Sequence, residues 1–207
     1  MPNTPRILIA VPCMDMVAAP FAQALATLQK QGECIVSFLI GSLIYDSRNQ
    51  LAKQAVKFDC DYILWLDSDM TFPPDTLLRM LKHAEEGKDI VSGLYFRRSA
   101  PYTPVLFKTL SEYKEGVTWE DYNDYPEDSV FEIGGCGFGC VLTKKEIFLE
   151  MVLEGMPFFN PTAGLGEDIA FCLRAHQLGH KIWCDSTIKC GHVGHITVSE
   201  ALYKASR

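Results

Sequence analysis

The sequence has no hydrophobic run long enough to cross a membrane. Its most apolar stretches, residues 7–13 and 34–44, fall well short of the roughly 20 residues that a spanning helix needs. The amino-terminal residues carry one basic side chain, Arg6, and no small-residue cleavage site follows an apolar segment, which argues against a secretory signal. These two absences lead us to expect a protein of the cytoplasm.

The sequence also lacks an excess of basic residues. It has 19 Lys and Arg against 26 Asp and Glu, which gives a formal net charge of −7 at pH 7. No segment gathers enough positive charge to follow a phosphate backbone. Unmodified nucleic acid is therefore not expected as a partner.

The composition is that of an ordinary globular protein. Hydrophobic residues make up 48% and charged residues 22% of its 207 positions, which excludes a disordered or collagen-like chain. The length suits one hydrophobic core, because chains divide into separate cores beyond roughly 250 residues. We find no internal repeat and no linker, so we expect a single domain. The eight cysteines lie mostly in apolar segments and are expected to be reduced.

The first half of the chain alternates between two hydrophobic periods. Apolar runs typical of buried strands occupy 6–12, 34–40, 61–66 and 89–95, and segments with helical spacing occupy 20–31, 47–58 and 74–86. This alternation predicts β-α-β units, and hence a parallel sheet with a ligand crevice at the carboxyl ends of its strands. The loops after residues 12, 41 and 66 are then expected at one edge of the sheet.

The second half of the chain is less regular. Residues 100–135 predict short antiparallel strands and a surface loop. Helices at 144–153 and 167–178 and a strand at 181–185 follow. Together the segments predict an α/β fold, a three-layer sandwich with a mostly parallel central sheet.

Asp67 and Asp69 form the most informative motif. They directly follow the apolar strand at 61–66, and residues i and i+2 of an extended segment face the same way. Two carboxylates placed in this manner can hold Mg²⁺ or Mn²⁺ and leave positions open for phosphate oxygens. The alternative is a turn that caps the helix at 74–86, where Asp and Ser are favoured.

Glu167 and Asp168 form a second acidic pair, at the start of the helix 167–178. The positive end of the helix dipole favours ionised carboxylates there, and a general base must be ionised. The alternative is that the pair only complements the dipole of the first turn.

Four residues near the end of the chain, Cys184, Cys190, His192 and His195, raise the question of a zinc site. Their spacing fits no standard pair of ligand pairs. We favour instead one imidazole that joins the Asp67–Asp69 pair.

A glycine-rich group occupies residues 134–139. It neither follows the first strand nor opens the first helix, so it is not a dinucleotide-binding motif. Either a ligand approaches this backbone closely or the glycines form a turn or bulge.

The order of these motifs resembles the GT-A glycosyltransferases, in particular small members of glycosyltransferase family 2. The motifs are LDSDM after a strand, GGCGFGC, GEDIAFCLRAHQLGHKIW and CGHVGH, and the likeness covers roughly residues 6–195. It implies a GT-A fold in one domain over residues 1–207. Within it we expect a nucleotide-binding half at about 6–98 and an acceptor-side half at about 99–196.

The resemblance implies a divalent cation, Mn²⁺ or Mg²⁺, that binds the diphosphate of a nucleotide-sugar donor. Asp67 and Asp69 match the family's Asp-x-Asp element, with Asp69 favoured as the direct ligand. The histidine that completes the metal site in many GT-A enzymes falls on His192, with His195 in reserve.

The resemblance also places the reacting groups and the donor contacts. Asp168, beside Glu167, matches the catalytic base of inverting members. The implied donor-binding residues are Val11, Pro12, Cys13, Arg48, Asn49, Asp67, Ser68 and Gly135. Arg48 is expected to meet the diphosphate or the base, the alternative being a solvated charge in the first turn of its helix. The second strand ends in Gly41 and Ser42, where many relatives carry the acidic residue that reads uracil, so the nucleotide base stays open.

The expected activity is metal-dependent transfer of a sugar to an acceptor hydroxyl, with inversion. The acceptor stays open among a glycan, a protein, a lipid carrier and a modified base. A sugar nucleotidyltransferase is one alternative, although residues 12–16 lack its basic, glycine-rich loop. A non-catalytic carbohydrate- or nucleotide-binding protein and a retaining transferase are the others.

Overall fold

The computed structural model describes residues 4–41, 43–113, 116–162, 164–194 and 197–206. Its strands are β1 (Arg6–Cys13), β2 (Glu33–Ile40), β3 (Tyr62–Leu66), β4 (Met70–Thr71), β5 (Ile90–Leu94), β6 (Leu106–Tyr113), β7 (Gly116–Asp121), β8 (Val130–Ile133), β9 (Gly135–Cys136), β10 (Cys140–Lys144), β11 (Ile182–Lys189), β12 (Gly191–Val193) and β13 (Thr197–Val198). Its helices are α1 (Ala19–Thr27), α2 (Ile44–Lys57), α3 (Thr76–Glu85), α4 (Glu146–Leu153), α5 (Glu167–Gln177) and α6 (Glu200–Ala205).

The central sheet has seven strands in the order β2-β1-β3-β10-β5-β11-β8. β1 pairs in parallel with β2 and β3, and β11 pairs in parallel with β5. β10 and β8 run antiparallel to their neighbours. The sheet is therefore mostly parallel, as the sequence predicts.

Both faces of this sheet are covered, and β1 shows why. Leu8 and Ala10 pack in a core with Leu51 of α2 on one face, whereas Ile9 and Val11 belong to a second core on the other face. Successive side chains of a strand point to opposite faces, so a strand covered on both sides needs a continuous apolar run. The predicted three-layer α/β sandwich is confirmed.

The sequence does not predict β10. This strand lies between β3 and β5, with Leu142 opposite both Leu64 and Val91. It directly precedes α4, which begins at Glu146 rather than at the predicted residue 144. Hydrophobic periodicity marks a buried segment but does not reveal which strands it will separate.

Two small sheets flank the central one. The β7-β6-β9 sheet confirms the predicted antiparallel strands within 100–135. In the β13-β12-β4 sheet, His192 of β12 lies opposite Met70 of β4, the residue after Asp69. This pairing brings the end of the chain back to the carboxyl end of β3. Among the residues that the structure describes, no helix has the length and hydrophobicity that a bilayer crossing requires.

Candidate active site

A cavity of about 420 Å³ lies at the carboxyl ends of β1 and β3. Its lining residues are Pro12, Cys13, Met14, Ile44, Ser47, Asp67, Ser68, Asp69, Arg98 and His192. This is the edge of a parallel sheet at which ligands usually bind. A larger cavity, of about 500 Å³, lies at the amino ends of the same strands, around Asp61, Asp89 and His180. We place the site in the first cavity because its position fits the topology and it gathers the Asp67–Asp69 motif with His192.

Asp69 and His192 face each other in this cavity. Nε2 of His192 lies 3.6 Å from Oδ2 of Asp69, and the backbone N–H of Val193 donates to the Asp69 carbonyl oxygen at 2.7 Å. Desolvation would raise the pKa of the Asp69 carboxyl, but His192 and Arg98 beside it outweigh this effect and lower the pKa. Asp69 is thus held as an ionised carboxylate.

A hydrogen bond to a backbone carbonyl fixes the orientation of the His192 ring. Its Nδ1 lies 2.8 Å from the carbonyl oxygen of Phe96, an atom that can only accept a hydrogen bond. Nδ1 therefore carries the proton in a neutral ring, and the lone pair of Nε2 faces Asp69. A backbone carbonyl that sets the tautomer in this way is typical of metal-binding histidines.

Asp67, unlike Asp69, forms an ion pair with a buried arginine, Arg48. Nη2 of this buried arginine donates to Oδ1 of Asp67 at 2.9 Å, and its Nε donates to Oε1 of Glu167 at 3.4 Å. Nη1 donates to the carbonyl oxygen of Phe138 at 3.3 Å. Burial would lower the pKa of Arg48, but Asp67 and Glu167 outweigh it, so the pKa is raised. Arg48 joins the two acidic motifs rather than pointing freely into solvent.

Asp168 is the acidic side chain of α5 that Arg48 leaves free of a direct ion pair. Its Oδ1 accepts a hydrogen bond from the N–H of Ile169 at 2.8 Å. Desolvation, followed by the charge of Glu167, raises the pKa of Asp168 to about 6. A carboxylate with this pKa is mostly ionised at pH 7 and is more basic than an ordinary aspartate. Asp168 is not among the residues that line the 420 Å³ cavity. Its neighbour Glu167 is connected to the cavity through Arg48, which pairs with both Glu167 and Asp67.

Comparison with known proteins identifies the family of the chain. The family model of glycosyl transferase family 2 matches residues 25–148, which is more than half of the chain. The chain belongs to glycosyl transferase family 2. No curated protein matches the sequence significantly.

Two solved structures share the fold of this family 2 glycosyltransferase. A197 from STIV superposes with a TM-score of 0.66 at 20% identity, over 91% of this chain and 86% of that one. The crystal structure of GalNAc-T7 with UDP, GalNAc and Mn²⁺ gives a TM-score of 0.61 at 9% identity, over 95% of this chain but only 45% of that one. At these identities the likeness shows the GT-A fold alone.

The residues around Asp69 fit a divalent cation in part. A carboxylate oxygen and an imidazole nitrogen are a suitable donor pair for Mn²⁺, and their 3.6 Å separation is too long for a hydrogen bond. Asp67 lines the same cavity with its Oδ1 paired to Arg48, and its predicted role as a further ligand stays a prediction. Over the described ranges, no group of three or more His, Cys, Asp or Glu side chains is gathered closely enough to bind a metal. In this family 2 enzyme Asp69 and His192 would therefore be the primary ligands.

Several predicted donor-binding residues do line the cavity, and others lie elsewhere. Pro12, Cys13, Ser68 and Asp67 are at its wall, whereas Val11 is fully buried in β1. The other three predicted residues, Arg48, Asn49 and Gly135, are not among the residues that line the cavity. His195 lies outside the described residues.

Asn49 and Gly135 stabilise the structure near the site. The Asn49 side chain accepts from the N–H of Phe159 at 2.9 Å and donates to Asn160 at 2.8 Å, so it fixes the loop before α5. Gly135 is buried in β9, where an added Cβ would contact Cys172 of α5. Neither residue lines the cavity, and their roles in donor binding stay predictions.

Tyr95 explains two members of the glycine-rich group. A Cβ on Gly137 would overlap the Tyr95 hydroxyl, and one on Gly139 would lie 2.9 Å from the same ring. The N–H of Gly139 donates to that hydroxyl at 3.3 Å, and the ring packs edge-on against His192. These glycines therefore admit the tyrosine that supports His192.

Sequence reasoning missed Arg98, Met14 and Ile44, all of which line the cavity. Arg98 is the most important, because its Nη1 donates to Oδ2 of Asp69 at 2.8 Å. It follows β5, the fourth predicted parallel strand, so its place at a strand's carboxyl end was the signal that could have identified it.

Proposed function

We propose that this family 2 enzyme transfers a sugar from a nucleotide-diphosphate donor to an acceptor hydroxyl, with a divalent cation and with inversion. One observation carries the proposal: the carboxylate of Asp69 and Nε2 of His192 face each other in a cavity at the carboxyl ends of the parallel strands. Mn²⁺ or Mg²⁺ bound there would neutralise negative charge on the departing nucleoside diphosphate.

The donor is assigned to the 420 Å³ cavity. Pro12, Cys13 and Ser68 offer backbone and small side chains at its wall, and Met14 and Ile44 are exposed apolar side chains beside them. An apolar wall next to a charged end suits a ligand with a flat base at one end and a diphosphate at the other. The identity of the base and of the sugar stays open.

Asp168 is assigned as the base. It would take the proton of the acceptor hydroxyl while that oxygen bonds to the anomeric carbon and the bond from this carbon to the diphosphate breaks. Glu167 is bound to Arg48 and is less suited to accept a proton, so its part is to raise the basicity of Asp168. The proton on Asp168 is released to solvent after the product leaves.

A panel of nucleotide sugars tests the proposal. Purified protein is incubated with UDP-, GDP- and dTDP-sugars and with candidate acceptors, with and without Mn²⁺, and the release of nucleoside diphosphate is measured. Release that depends on Mn²⁺ and on an acceptor supports the transferase. Release of pyrophosphate from a nucleoside triphosphate and a sugar phosphate would instead identify a nucleotidyltransferase, and binding without turnover would identify a non-catalytic protein.

The configuration of the product separates inversion from retention. If the new glycosidic bond has the donor's own anomeric configuration, Asp168 is not a base that acts on the opposite face of the sugar. The glycan, protein, lipid carrier or modified base that accepts the sugar, the division into two halves and the cytoplasmic location stay predictions from the sequence.

A further inference from the structure

Arg98 forms an ion pair with the carboxylate of Asp69, to which the proposed cation would bind. Its Nη1 lies 2.8 Å from Oδ2 of Asp69. The same oxygen is the one that faces Nε2 of His192 at 3.6 Å. A guanidinium and a divalent cation that both require this oxygen compete for it.

Arg98 is also a positively charged side chain at the cavity wall that has room to move. Arg48 is buried and donates to Asp67, Glu167 and a carbonyl oxygen. The Arg98 side chain is 55% exposed, and of the described residues that line the cavity it alone has a permanent positive charge.

The backbone before Arg98 is fixed, so any movement would belong to its side chain. Phe96 forms a β-bridge with Pro104, and the N–H of Arg97 donates to the carbonyl oxygen of Thr103 at 2.9 Å. A long side chain that starts from an anchored backbone can exchange partners within one cavity. A planar guanidinium pairs with phosphate oxygens as well as it does with a carboxylate.

We propose that Arg98 is a donor-binding residue that changes partner. It pairs with Asp69 when no cation is bound, and it binds the diphosphate of the donor when a cation takes Asp69. This inference rests on the proposed function, since it requires a nucleoside diphosphate in the cavity. It assigns Arg98 two opposite effects, because the side chain hinders binding of the cation alone and favours binding of the cation together with the nucleotide.

Two titrations of the full chain test these opposite effects in Arg98→Ala. Mn²⁺ alone is titrated by electron paramagnetic resonance, and UDP, GDP and dTDP are each titrated calorimetrically at saturating Mn²⁺. We expect Arg98→Ala to bind Mn²⁺ alone about threefold or more tightly, since it lacks the competitor. We expect it to bind the nucleotide about tenfold more weakly, the usual cost of one lost charge-assisted contact.

Arg97→Ala is the matched control. Arg97 is the adjacent arginine, but its guanidinium lies 4.0 Å from Asp121 and does not line the cavity. Both affinities should match those of the wild type. Arg98→Lys keeps the charge without the planar fork, and it should fall between the wild type and Arg98→Ala in both titrations.

The outcomes separate this inference from the proposed function. If the wild type binds Mn²⁺ and a nucleotide while Arg98→Ala leaves both affinities unchanged or lowers both, the exchange of partners is wrong and the transferase stands. If the wild type binds Mn²⁺ but none of the three nucleotides, the proposed function and the diphosphate role of Arg98 fail together. If the wild type binds no Mn²⁺, the cation assignment and the inference are both overturned.

Discussion

The guanidinium of Arg48 lies 2.9 Å from the carboxylate of Asp67 and holds the carboxyl end of β3 to α5 through Glu167. The Arg48 side chain is only 3% exposed. Removing it would leave two partly buried carboxylates without a cation. Breaking a buried pair in this way usually costs several kcal/mol, because the remaining charge stays desolvated.

We therefore expect Arg48→Ala to lower the free energy of unfolding by about 3 kcal/mol, measured by urea denaturation. Arg48→Lys should fold but bind nucleotide with Mn²⁺ more weakly, because one ammonium cannot hold Asp67, Glu167 and Phe138 together. Arg6→Ala is the control, since Arg6 forms an exposed pair with Glu33 at 3.1 Å and such pairs contribute at most about 1 kcal/mol. Equal stability of the Arg48 and Arg6 variants would contradict this role.

Asp168→Asn should abolish transfer while the donor still binds. The amide keeps the size of the side chain but cannot accept the proton of the acceptor hydroxyl. We expect kcat to fall at least about 100-fold, with the affinity for UDP or GDP in Mn²⁺ unchanged. Transfer is followed by release of nucleoside diphosphate, and nucleotide binding by calorimetry. Normal turnover in Asp168→Asn would remove this residue from the role of base.

The pH dependence of kcat/KM should follow the ionisation of Asp168. Its pKa is raised from 3.8 to about 6, and only the ionised form accepts a proton. The rate should therefore level off above about pH 6 and fall about tenfold per pH unit below it. An inflection near the ordinary value of an aspartate would contradict the assignment.

Glu167→Gln provides a matched test of that profile. After desolvation, the charge of Glu167 is the next cause that raises the pKa of Asp168. Its removal should move the inflection to lower pH, while the rate on the plateau stays measurable. An unchanged inflection would mean that a different group controls the profile.

The parts of the structure that the sequence predicts are those with a local cause. A strand buried on both faces must be apolar throughout, so β1, β3 and β5 could be recognised from their own residues. The apolar run of β2 also predicts a strand, but β2 lies at the edge of the sheet and is partly exposed rather than buried. The position of Asp67 and Asp69 follows directly from the end of β3. The position of the Glu167–Asp168 pair likewise follows from the predicted start of a helix with an apolar face.

The parts that could not be predicted depend on distant partners. Arg48 contacts residues 19 and 119 positions away, and the hydrogen bond that orients His192 joins it to Phe96, 96 positions away. No local pattern distinguishes an arginine that joins two acidic motifs from one in solvent. Arg98 is an intermediate case, because its place after β5 puts it at the edge of the sheet that binds ligands, but its pairing with Asp69, 29 positions earlier, has no local signal.

Asp69 and His192 should contribute unequally to metal-dependent nucleotide binding. Asp69 supplies the charge that attracts a cation, whereas His192 supplies one neutral donor atom, so Asp69→Ala should remove the gain in nucleotide affinity that Mn²⁺ brings and His192→Ala should only reduce it. Titrations of UDP and GDP with and without Mn²⁺ measure this gain. His180→Ala is the control, because His180 lies in the cavity at the opposite end of the strands, between Asp89 and Glu150. Unchanged titrations of Asp69→Ala would show that the cation, if it binds, is held by other residues, and the assignment of this carboxylate would be wrong.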